Sequence, residues 1–407
     1  SAGDVAGAFS VSRRLEVPVS VRGSGHSCGR HGVSEGGILV VNRSTRPEVR
    51  RLDEERFEVG SRTLWVDVER ALNAVGRTVP VVTSELATTA GGTLSVGGGF
   101  GLRSIRAGSQ VDCIESLEVV LPDGRRATCS RHQDVDLFRG CLGGLGRLGF
   151  IERAIVRSAA HRPIVRKLRS RHSSFASLLE SLASFAGDGP CPWDEVCASS
   201  PDLETWDLVA STAHPDRADA RRRGLPGLPG AGAPRLVEDS LPPDVEASRT
   251  PVDGLGQVHV WNDYAFELDG LVAFAEEVCP LLGAADLRPY LGQALLLAVA
   301  GGDPGTRPWL DLRSWPSPRR GFGIGLYFDL PAGDAPAIAR AEAFHGACLE
   351  VCLRLGGRPY LYGTHELDRG RLQACYGDGF ARFQALRDSL DPRRLLRRPP
   401  SRAPCWL

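Results

Sequence analysis

The feature that most constrains this chain is a short glycine-containing loop that directly follows a predicted strand. Val17, Val19 and Val21 alternate with small or polar residues, which is the period of a half-buried β-strand. The strand continues into RGSGHS at 22–27. Glycines in this loop let the backbone approach a ligand closely, and successive N–H groups of such a turn bind phosphate oxygens. We therefore predict a diphosphate site, with His26 directed at the group that the diphosphate carries.

A second glycine-rich stretch supports this prediction. Residues 91–101 contain six glycines in eleven positions. Neither stretch has the strand–GxGxxG–helix pattern of a dinucleotide-binding fold, and neither contains the GK[ST] of a P-loop. A cofactor diphosphate would therefore be held by another kind of loop.

Length and charge narrow the class of protein and its partners. A chain of 407 residues that is 42% hydrophobic can bury a large core, and two domains are the ordinary expectation. The formal net charge is zero, so electrostatics give no reason to expect nucleic acid or a membrane as a partner. The only lysine is Lys167, and we take the excess of arginine to indicate a GC-rich bacterial genome.

Cysteine usage and the absence of targeting signals predict a cytoplasmic protein. Eleven scattered cysteines without a CxxC pair are typical of free thiols in a reducing compartment. We see no signal peptide and no apolar run that could span a bilayer. His26, Cys28 and His31 do not have the spacing of a zinc site, so no metal is predicted.

Hydrophobic periodicity predicts an α+β chain. The region 213–256 is rich in proline, glycine and arginine, and we predict a long surface loop there. The clearest predicted elements are helices over 3–14, 65–75, 175–185 and 337–355, strands over 37–41, 57–60, 117–121, 126–129 and 150–156, and a C-terminal helix that ends at Asp391-Pro392.

Three blocks of the sequence carry a family resemblance. They are RGSGHS at 22–27, TTAGGTLSVGGGFGLRSIRAGSQVDCIESLEVV at 88–120, and DLFRGCLGGLGRLGFIERAIV at 136–156, with GRPYL at 357–361 as a weaker fourth block. On these blocks the chain resembles the FAD-linked oxidoreductases of the vanillyl-alcohol oxidase/p-cresol methylhydroxylase (PCMH) superfamily. Within that superfamily it is most similar to cytokinin dehydrogenase-like oxidases.

The resemblance implies a two-domain α+β architecture with a PCMH-type FAD-binding fold. The FAD-binding domain would comprise residues 1–158, and an inserted α+β substrate domain, or cap, would comprise 159–356. Residues 357–407 would return to the FAD-binding domain.

The resemblance also implies FAD with one covalent bond, from His26 to the 8α-methyl group of the flavin. Relatives with two covalent links carry a cysteine a few residues before the second glycine stretch, where this chain reads Thr83-Ser84-Glu85-Leu86. The other positions expected against the cofactor are Val21, Gly23, Ser24, Gly25, Ser27, His31, Ser84, Thr89, Gly92, Ser95, Gly99 and Ile151.

The general base is the least determined part of the site. Cytokinin dehydrogenase has an aspartate that takes the substrate's proton, and this chain has Ser84 at that position with Glu85 beside it. We predict Glu85 as the base, with a solvated loop carboxylate as an equally open interpretation of this residue. Tyr360 is predicted to be an orienting group. Asp263 lies in the cap segment WNDYAFE, for which packing in the core or lid is favoured over catalysis.

The leading function is an FAD-dependent oxidase or dehydrogenase in bacterial secondary metabolism. A hydride would leave a carbon that bears nitrogen or oxygen in a small molecule, and oxygen or another acceptor would reoxidise the flavin. Two alternatives stay open, namely a non-redox cyclase or isomerase on the same fold and a binding protein that has lost turnover. Neither the substrate nor the oligomeric state follows from the sequence.

Overall fold

The structure is a computed structural model that describes residues 2–28, 31–42, 46–224, 227–228, 231, 234–238 and 256–396. The chain has an α+β fold, as predicted. The helices are α1 (Ala2–Leu15), α2 (Trp65–Asn73), α3 (Ala90–Ser95), α4 (Ser104–Ala107), α5 (Val135–Cys141), α6 (Phe175–Leu182), α7 (Arg217–Arg222), α8 (Leu268–Ala284), α9 (Ala335–Arg354), α10 (Arg369–Tyr376) and α11 (Asp378–Leu390).

The strands form one five-stranded sheet, one eight-stranded sheet and three two-stranded pairs within the described residues. They are β1 (Val19–Arg22), β2 (Ile38–Val41), β3 (Val49–Arg51), β4 (Arg56–Gly60), β5 (Arg77–Thr78), β6 (Val82–Thr83), β7 (Gly101–Leu102), β8 (Ile114–Val120), β9 (Arg126–Ser130), β10 (Phe150–Arg157), β11 (Ala159–Ala160), β12 (Ile164–His172), β13 (Glu195–Ser200), β14 (Trp206–His214), β15 (Arg235–Glu238), β16 (Gln257–Phe266), β17 (Leu291–Ala300), β18 (Arg320–Pro331) and β19 (Arg358–Pro359).

The five-stranded sheet is antiparallel, with the order β3-β4-β10-β8-β9. Helix α2 buries Trp65, Val68 and Leu72, which are spaced by three and four residues and so share one face. The strands predicted over 117–121 and 126–129 pair as the hairpin β8–β9, joined by the turn at 121–125.

The eight-stranded sheet has one face covered by helices and an opposite face, termed the open face, which is only partly covered by Phe100, Trp315 and Tyr360. In β16, Val260, Asn262 and Tyr264 are buried, whereas Trp261 and Asp263 are only partly buried. This alternation is the period of a strand whose two faces meet different surroundings. Helices α8 and α9 cover the buried face, where the Tyr264 ring packs 5.2 Å from that of Phe274 on α8. The open face carries the side chains that form the candidate site.

The C-terminal segment comes back to the first strand of the chain. The backbone N–H of Val19 donates to the carbonyl of Leu395 at 2.9 Å, and Leu396 packs in a small apolar cluster with Phe9 and Val19. The predicted return of this segment is compatible with that contact. The domain boundaries at 158 and 356 stay predictions.

The region 213–256 is more regular than its composition indicates. Strand β14 continues to His214, and α7 follows with Asp216 accepting the N–H of Asp219 at its start. Strand β15 pairs with β12 at the sheet edge. The prediction of one continuous loop is therefore wrong for these parts, because a side-chain cap and an edge pairing outweigh the high proline and glycine content. Residues 239–255 lie outside the described residues.

Burial of His345 makes the stability of the chain depend on pH. This α9 side chain is 2% exposed, its Nδ1 lies 3.1 Å from the hydroxyl of Tyr264, and burial lowers its pKa to about 3. An unfolded histidine has a pKa near 6.5, so the unfolded chain binds more protons between about pH 3 and pH 6.5. Stability is therefore lost as the pH falls below 6.5, by about 2 kcal/mol between pH 6.5 and pH 5 from this residue.

We expect the urea midpoint of unfolding to decrease between pH 7 and pH 5, and the decrease to be smaller in His345→Gln. The matched control is His132→Gln, because His132 is exposed and its replacement should leave the pH dependence as in the unmodified chain. An identical pH dependence in His345→Gln and the unmodified chain would contradict the assignment.

Candidate active site

A narrow groove runs between the two glycine-containing loops and the strand end at Ile151. Its walls include the bare backbone of several glycines beside hydroxyl and amide side chains. The predicted residues that line it are Val21, Gly23, Thr89, Gly92, Ser95 and Ile151. The residues of the groove that sequence reasoning missed are Phe9, Val19, Asn42, Gly91, Gly146, Gly149, Phe150 and Leu396.

The two loops pack so closely against each other that position 23 requires glycine. A Cβ placed on Gly23 would collide with Oγ1 of Thr89, and the Oγ of Ser24 donates to the carbonyl of Ala87 at 2.8 Å. Gly25 has a φ of +87°, in the left-handed region that favours glycine. The local sequence RGSG therefore folds as a tight turn whose backbone lies against the 83–95 segment.

The groove fits the diphosphate part of a dinucleotide cofactor. Oγ1 of Thr89 is buried, lies in the wall of the groove and has no hydrogen-bond partner among the described residues. A buried polar atom without a partner costs roughly 1–3 kcal/mol, so a ligand oxygen at this point would be stabilised. Glycine backbone and hydroxyl donors are the groups that bind phosphate oxygens in such concave turns.

The remaining predicted cofactor positions differ in their exposure and in their hydrogen bonds. His26 and Ser27 lie half-buried in the same loop, and Nε2 of His31 lies 2.6 Å from the carbonyl of Leu361. Ser84 is exposed, and the N–H of Gly99 already donates to Gln110 at 2.8 Å. The roles assigned to these residues stay predictions.

A partly buried carboxylate with two phenol donors lies on the open face of the eight-stranded sheet. Oδ1 of Asp263 accepts the hydroxyl of Tyr327 at 2.7 Å, and Oδ2 accepts the hydroxyl of Tyr362 at 2.6 Å. Burial raises the pKa of Asp263 to about 6, although the two phenols act to lower it. A carboxylate with a pKa near 6 is ionised at neutral pH and is basic enough to accept a proton.

This carboxylate lies next to both glycine-containing loops. The Cys28 thiol, at the end of the His26 loop, contacts the backbone of Trp261, two residues before Asp263, and burial together with the negative charge of Asp263 raises the pKa of this thiol to about 12. The N–H of Tyr360 donates to the carbonyl of Asp263 at 2.9 Å. The hydroxyl of Tyr360 in turn donates to the carbonyl of Gly98 at 2.5 Å, in the second loop. Tyr360 therefore connects the carboxylate's strand to the glycine-rich stretch.

Strand register explains how these side chains come together. His259, Trp261 and Asp263 alternate along β16 and so share one face, and Trp261 pairs directly with Tyr327 of β18. Asp263 pairs with Gly325, where a Cβ would collide with the Tyr327 hydroxyl and with Asp263 itself. Glycine at this position leaves the space in which the carboxylate and the phenol meet.

A second acidic group continues the same face. Oδ1 of Asp329 lies 2.5 Å from Nδ1 of His259 and accepts Nε1–H of Trp261 at 3.1 Å. The Trp261 ring also packs 5.4 Å from that of Tyr327. The open face therefore presents aromatic rings and two carboxylates in a row.

Glu85, the base predicted from the sequence, has a different environment. Its Oε1 accepts the N–H of Ala87 at 2.7 Å, two residues further along the same loop. Such a local bond is typical of an acidic residue that stabilises a turn. The prediction for Glu85 is untested, but Asp263 has the burial and the donors that a base requires. The only sequence signal for Asp263 was its period-two spacing from Trp261 and His259.

Two features are absent from the described residues, namely a metal-binding group and a membrane-spanning helix. No three histidine, cysteine, aspartate or glutamate side chains among them are grouped so that they could hold a metal ion. None of the described helices combines the length and the apolar character needed to cross a membrane.

Comparisons with known proteins agree with this geometry. The model of an FAD binding domain family matches residues 1–130, and that of the D-arabinono-1,4-lactone oxidase family matches residues 305–399. Two partial relatives are cytokinin dehydrogenase 7 of Oryza sativa subsp. japonica, 35% identical over 191 residues, and the uncharacterized oxidoreductase ORF5 in fasciation locus of Rhodococcoides fascians, 36% identical over 177 residues. These matches span 44% and 43% of this chain but only 36% and 40% of the relatives' own lengths.

A third relative is matched over most of both chains. Cytokinin dehydrogenase 1 of Oryza sativa subsp. japonica is 31% identical over 439 aligned residues, which cover 93% of this chain and 80% of the relative. Together with the glycine-lined groove, this match shows that the chain belongs to the FAD-linked oxidoreductases with the PCMH-type FAD-binding fold.

Proposed function

We propose that this protein is an FAD-dependent oxidase or dehydrogenase that removes a hydride from a carbon bearing nitrogen or oxygen in a small molecule. The single observation that carries the proposal is the partly buried Asp263 carboxylate, which accepts hydrogen bonds from two phenols and is connected through Tyr360 to the second glycine-rich stretch. FAD in the groove would accept the hydride and its two electrons, and oxygen or another acceptor would take them in a later step.

Asp263 is the residue that we propose as general base. When the C–H bond breaks toward the cofactor, the N–H or O–H of the substrate must also lose its proton. A carboxylate oxygen of Asp263 accepts that proton, the electrons of the N–H or O–H bond form the new C=N or C=O bond, and the product is an imine or a carbonyl compound. Tyr327 and Tyr362 hold the carboxylate in one orientation, because each donates to a different oxygen.

Tyr360 is proposed to position the substrate and the carboxylate. Its N–H fixes the backbone of Asp263, and its hydroxyl is bonded to Gly98. Burial raises the pKa of this phenol above its usual value, so it stays protonated at neutral pH and cannot act as the base.

We further propose that the flavin is attached through His26 alone. The support is the position of His26 in a loop that packs on the groove wall, and the absence of cysteine from 83–86. We expect acid-precipitated protein to keep its flavin in the pellet and His26→Ala to release the flavin to the supernatant. The absorbance of both fractions near the flavin maximum measures this.

His31→Ala is the matched control for the covalent bond. It removes a second histidine of the same loop, one that lies against the carbonyl of Leu361, and it should retain the flavin in the pellet. Complete release of flavin from the unmodified protein by acid would refute a covalent link.

The two alternative functions differ in a measurable way. A non-redox cyclase or isomerase would form product from a substrate without bleaching the flavin spectrum, and a binding protein would do neither. Anaerobic mixing with a panel of alcohols and amines tests all three, because only the proposed hydride transfer bleaches the flavin. The placement in bacterial secondary metabolism stays part of the proposal, with the ORF5 oxidoreductase of Rhodococcoides fascians as a bacterial relative.

A further inference from the structure

Strand β18 carries three glycines on the open sheet face, Gly321, Gly323 and Gly325, and the last two are paired on both sides. Gly325 lies between Asp263 of β16 and Leu295 of β17, and Gly323 lies between Ala265 and Leu297 in the next row. Gly325 is explained by the carboxylate and phenol that fill the space above it. Gly323 is not explained in this way.

No packing contact requires glycine at position 323. A Cβ built there has no heavy atom within 4 Å, although the strand is bonded on both sides by β16 and β17. Its φ lies outside the left-handed region, so an L-residue could adopt the same backbone. A β-branched side chain would even favour the strand. There is therefore an opening, a region of free space, above Gly323, and the packing of the sheet does not require it.

The opening lies beside the proposed base. Diagonal neighbours on one face of an antiparallel pair are about 7–8 Å apart, and Gly323 is the diagonal neighbour of Asp263. On the far side the opening meets an apolar group, in which Phe100 and Tyr360 pack with Ala265 and Leu297. The ring centroids of Phe100 and Tyr360 are 6.1 Å apart, and the Tyr360 ring also approaches Gly97 of the glycine-rich stretch.

We infer that Gly323 is a specificity-determining residue, because the opening above it receives the part of the substrate that adjoins the reacting carbon. This inference rests on the proposed function, in which Asp263 takes the proton from that carbon's heteroatom. The size of the side chain at 323 then sets the largest group that the substrate can carry at this point. Because no packing contact constrains position 323, its side chain can change in size without a cost in folding.

The test compares a small and a large probe in Gly323→Val and in the unmodified protein. The probes are benzylamine with benzyl alcohol, and 1-naphthylmethylamine with 1-naphthalenemethanol. Each is titrated anaerobically while the flavin absorbance is followed, so that both binding and reduction are recorded. Gly346→Val is the matched control, because Gly346 is exposed on α9, behind the covered face, and a Cβ there also meets nothing within 4 Å.

We expect Gly323→Val to keep its full flavin content and to lose affinity for the naphthyl probes at least tenfold more than for the benzyl probes. One extra or missing methylene in a hydrophobic pocket typically alters discrimination by about 10–200-fold. Gly346→Val should keep the ratio of the unmodified protein.

Three results would overturn the inference. They are an unchanged ratio in Gly323→Val, loss of flavin from that variant, which would assign the opening to the cofactor, and failure of every probe to perturb the flavin of the unmodified protein. If the probes bind with the expected change of ratio but never bleach the flavin, the proposed oxidation fails while the assignment of the opening stands.

Discussion

Asp263→Asn is expected to keep the bound flavin and its spectrum while slowing anaerobic flavin reduction by about 10²–10⁴-fold, the usual contribution of a positioned general base. Asparagine has nearly the same shape, its oxygen can accept one phenol hydrogen and its NH2 group can donate to the oxygen of the other phenol, so the fold should survive. It cannot take a proton from the substrate. Stopped-flow reduction with a substrate from the alcohol and amine panel measures the loss.

The pH profile adds a signature that a structural defect would not produce. A base acts in its ionised form, so the reduction rate should rise with pH up to about 6, where Asp263 titrates, and then level off. The other titratable groups against it are Tyr327, Tyr362 and Cys28, and burial raises the pKa of each above its usual value. The limb near pH 6 should therefore disappear in Asp263→Asn. Tyr327→Phe removes one donor, and it should move the limb to higher pH.

Glu85→Gln separates the two candidate bases. If Asp263 is the base, Glu85→Gln should retain the pH limb near 6 and reduce the flavin at a rate within about tenfold of the unmodified protein, by the same scale of effect. A large loss in Glu85→Gln together with nearly normal reduction by Asp263→Asn would transfer the role to Glu85. It would then favour the prediction made from the sequence.

The glycine loops were predictable because their signal is local. RGSGHS and the 91–101 stretch show in the sequence itself where the backbone must lack side chains, and the collision of a Gly23 Cβ with Thr89 explains one of these positions. The same holds for the long helices, whose apolar residues recur at helical spacing. For the groove, the local sequence pattern therefore agrees with where the glycines lie in the structure.

The carboxylate cluster was not predictable in the same way, because its members are far apart in the chain. Tyr327 lies 64 residues and Tyr362 lies 99 residues from Asp263. Their contact depends on the register of β16 against β18 and on the path of the chain after β19. Proximity in sequence drew attention to Glu85 instead, next to the position of the family's aspartate. Burial, which gives Asp263 its raised pKa, cannot be read from a single sequence.

The second large effect is expected at Arg313, which is 0% exposed and bonded by two aspartates. Its Nη1 lies 2.5 Å from Oδ2 of Asp112, and its Nη2 lies 2.7 Å from Oδ2 of Asp311. Burial alone would lower the pKa of Arg313, but Asp311 and Asp112 outweigh it and raise the pKa above its usual value. This ion triad joins the segment before β18 to the 88–120 block, in which Asp112 follows the second glycine-rich stretch.

We expect Arg313→Met to lower the free energy of unfolding by about 3–5 kcal/mol, because it leaves the buried Asp311 carboxylate without its partner. Urea denaturation followed by tryptophan fluorescence measures the change. Arg319→Met is the control, since Arg319 pairs with Glu267 at a half-exposed position, and such a pair contributes only about 0–1 kcal/mol.

A triple variant keeps the prediction testable if Arg313→Met does not fold. Arg313→Met with Asp112→Asn and Asp311→Asn removes all three charges, and replacing a complete buried ion group is often close to neutral. The triple variant should therefore be more stable than Arg313→Met alone, although it carries more substitutions. If it is less stable by the sum of the separate losses, the three side chains do not act as one charge-balanced unit, and the cost of the single variant has another cause.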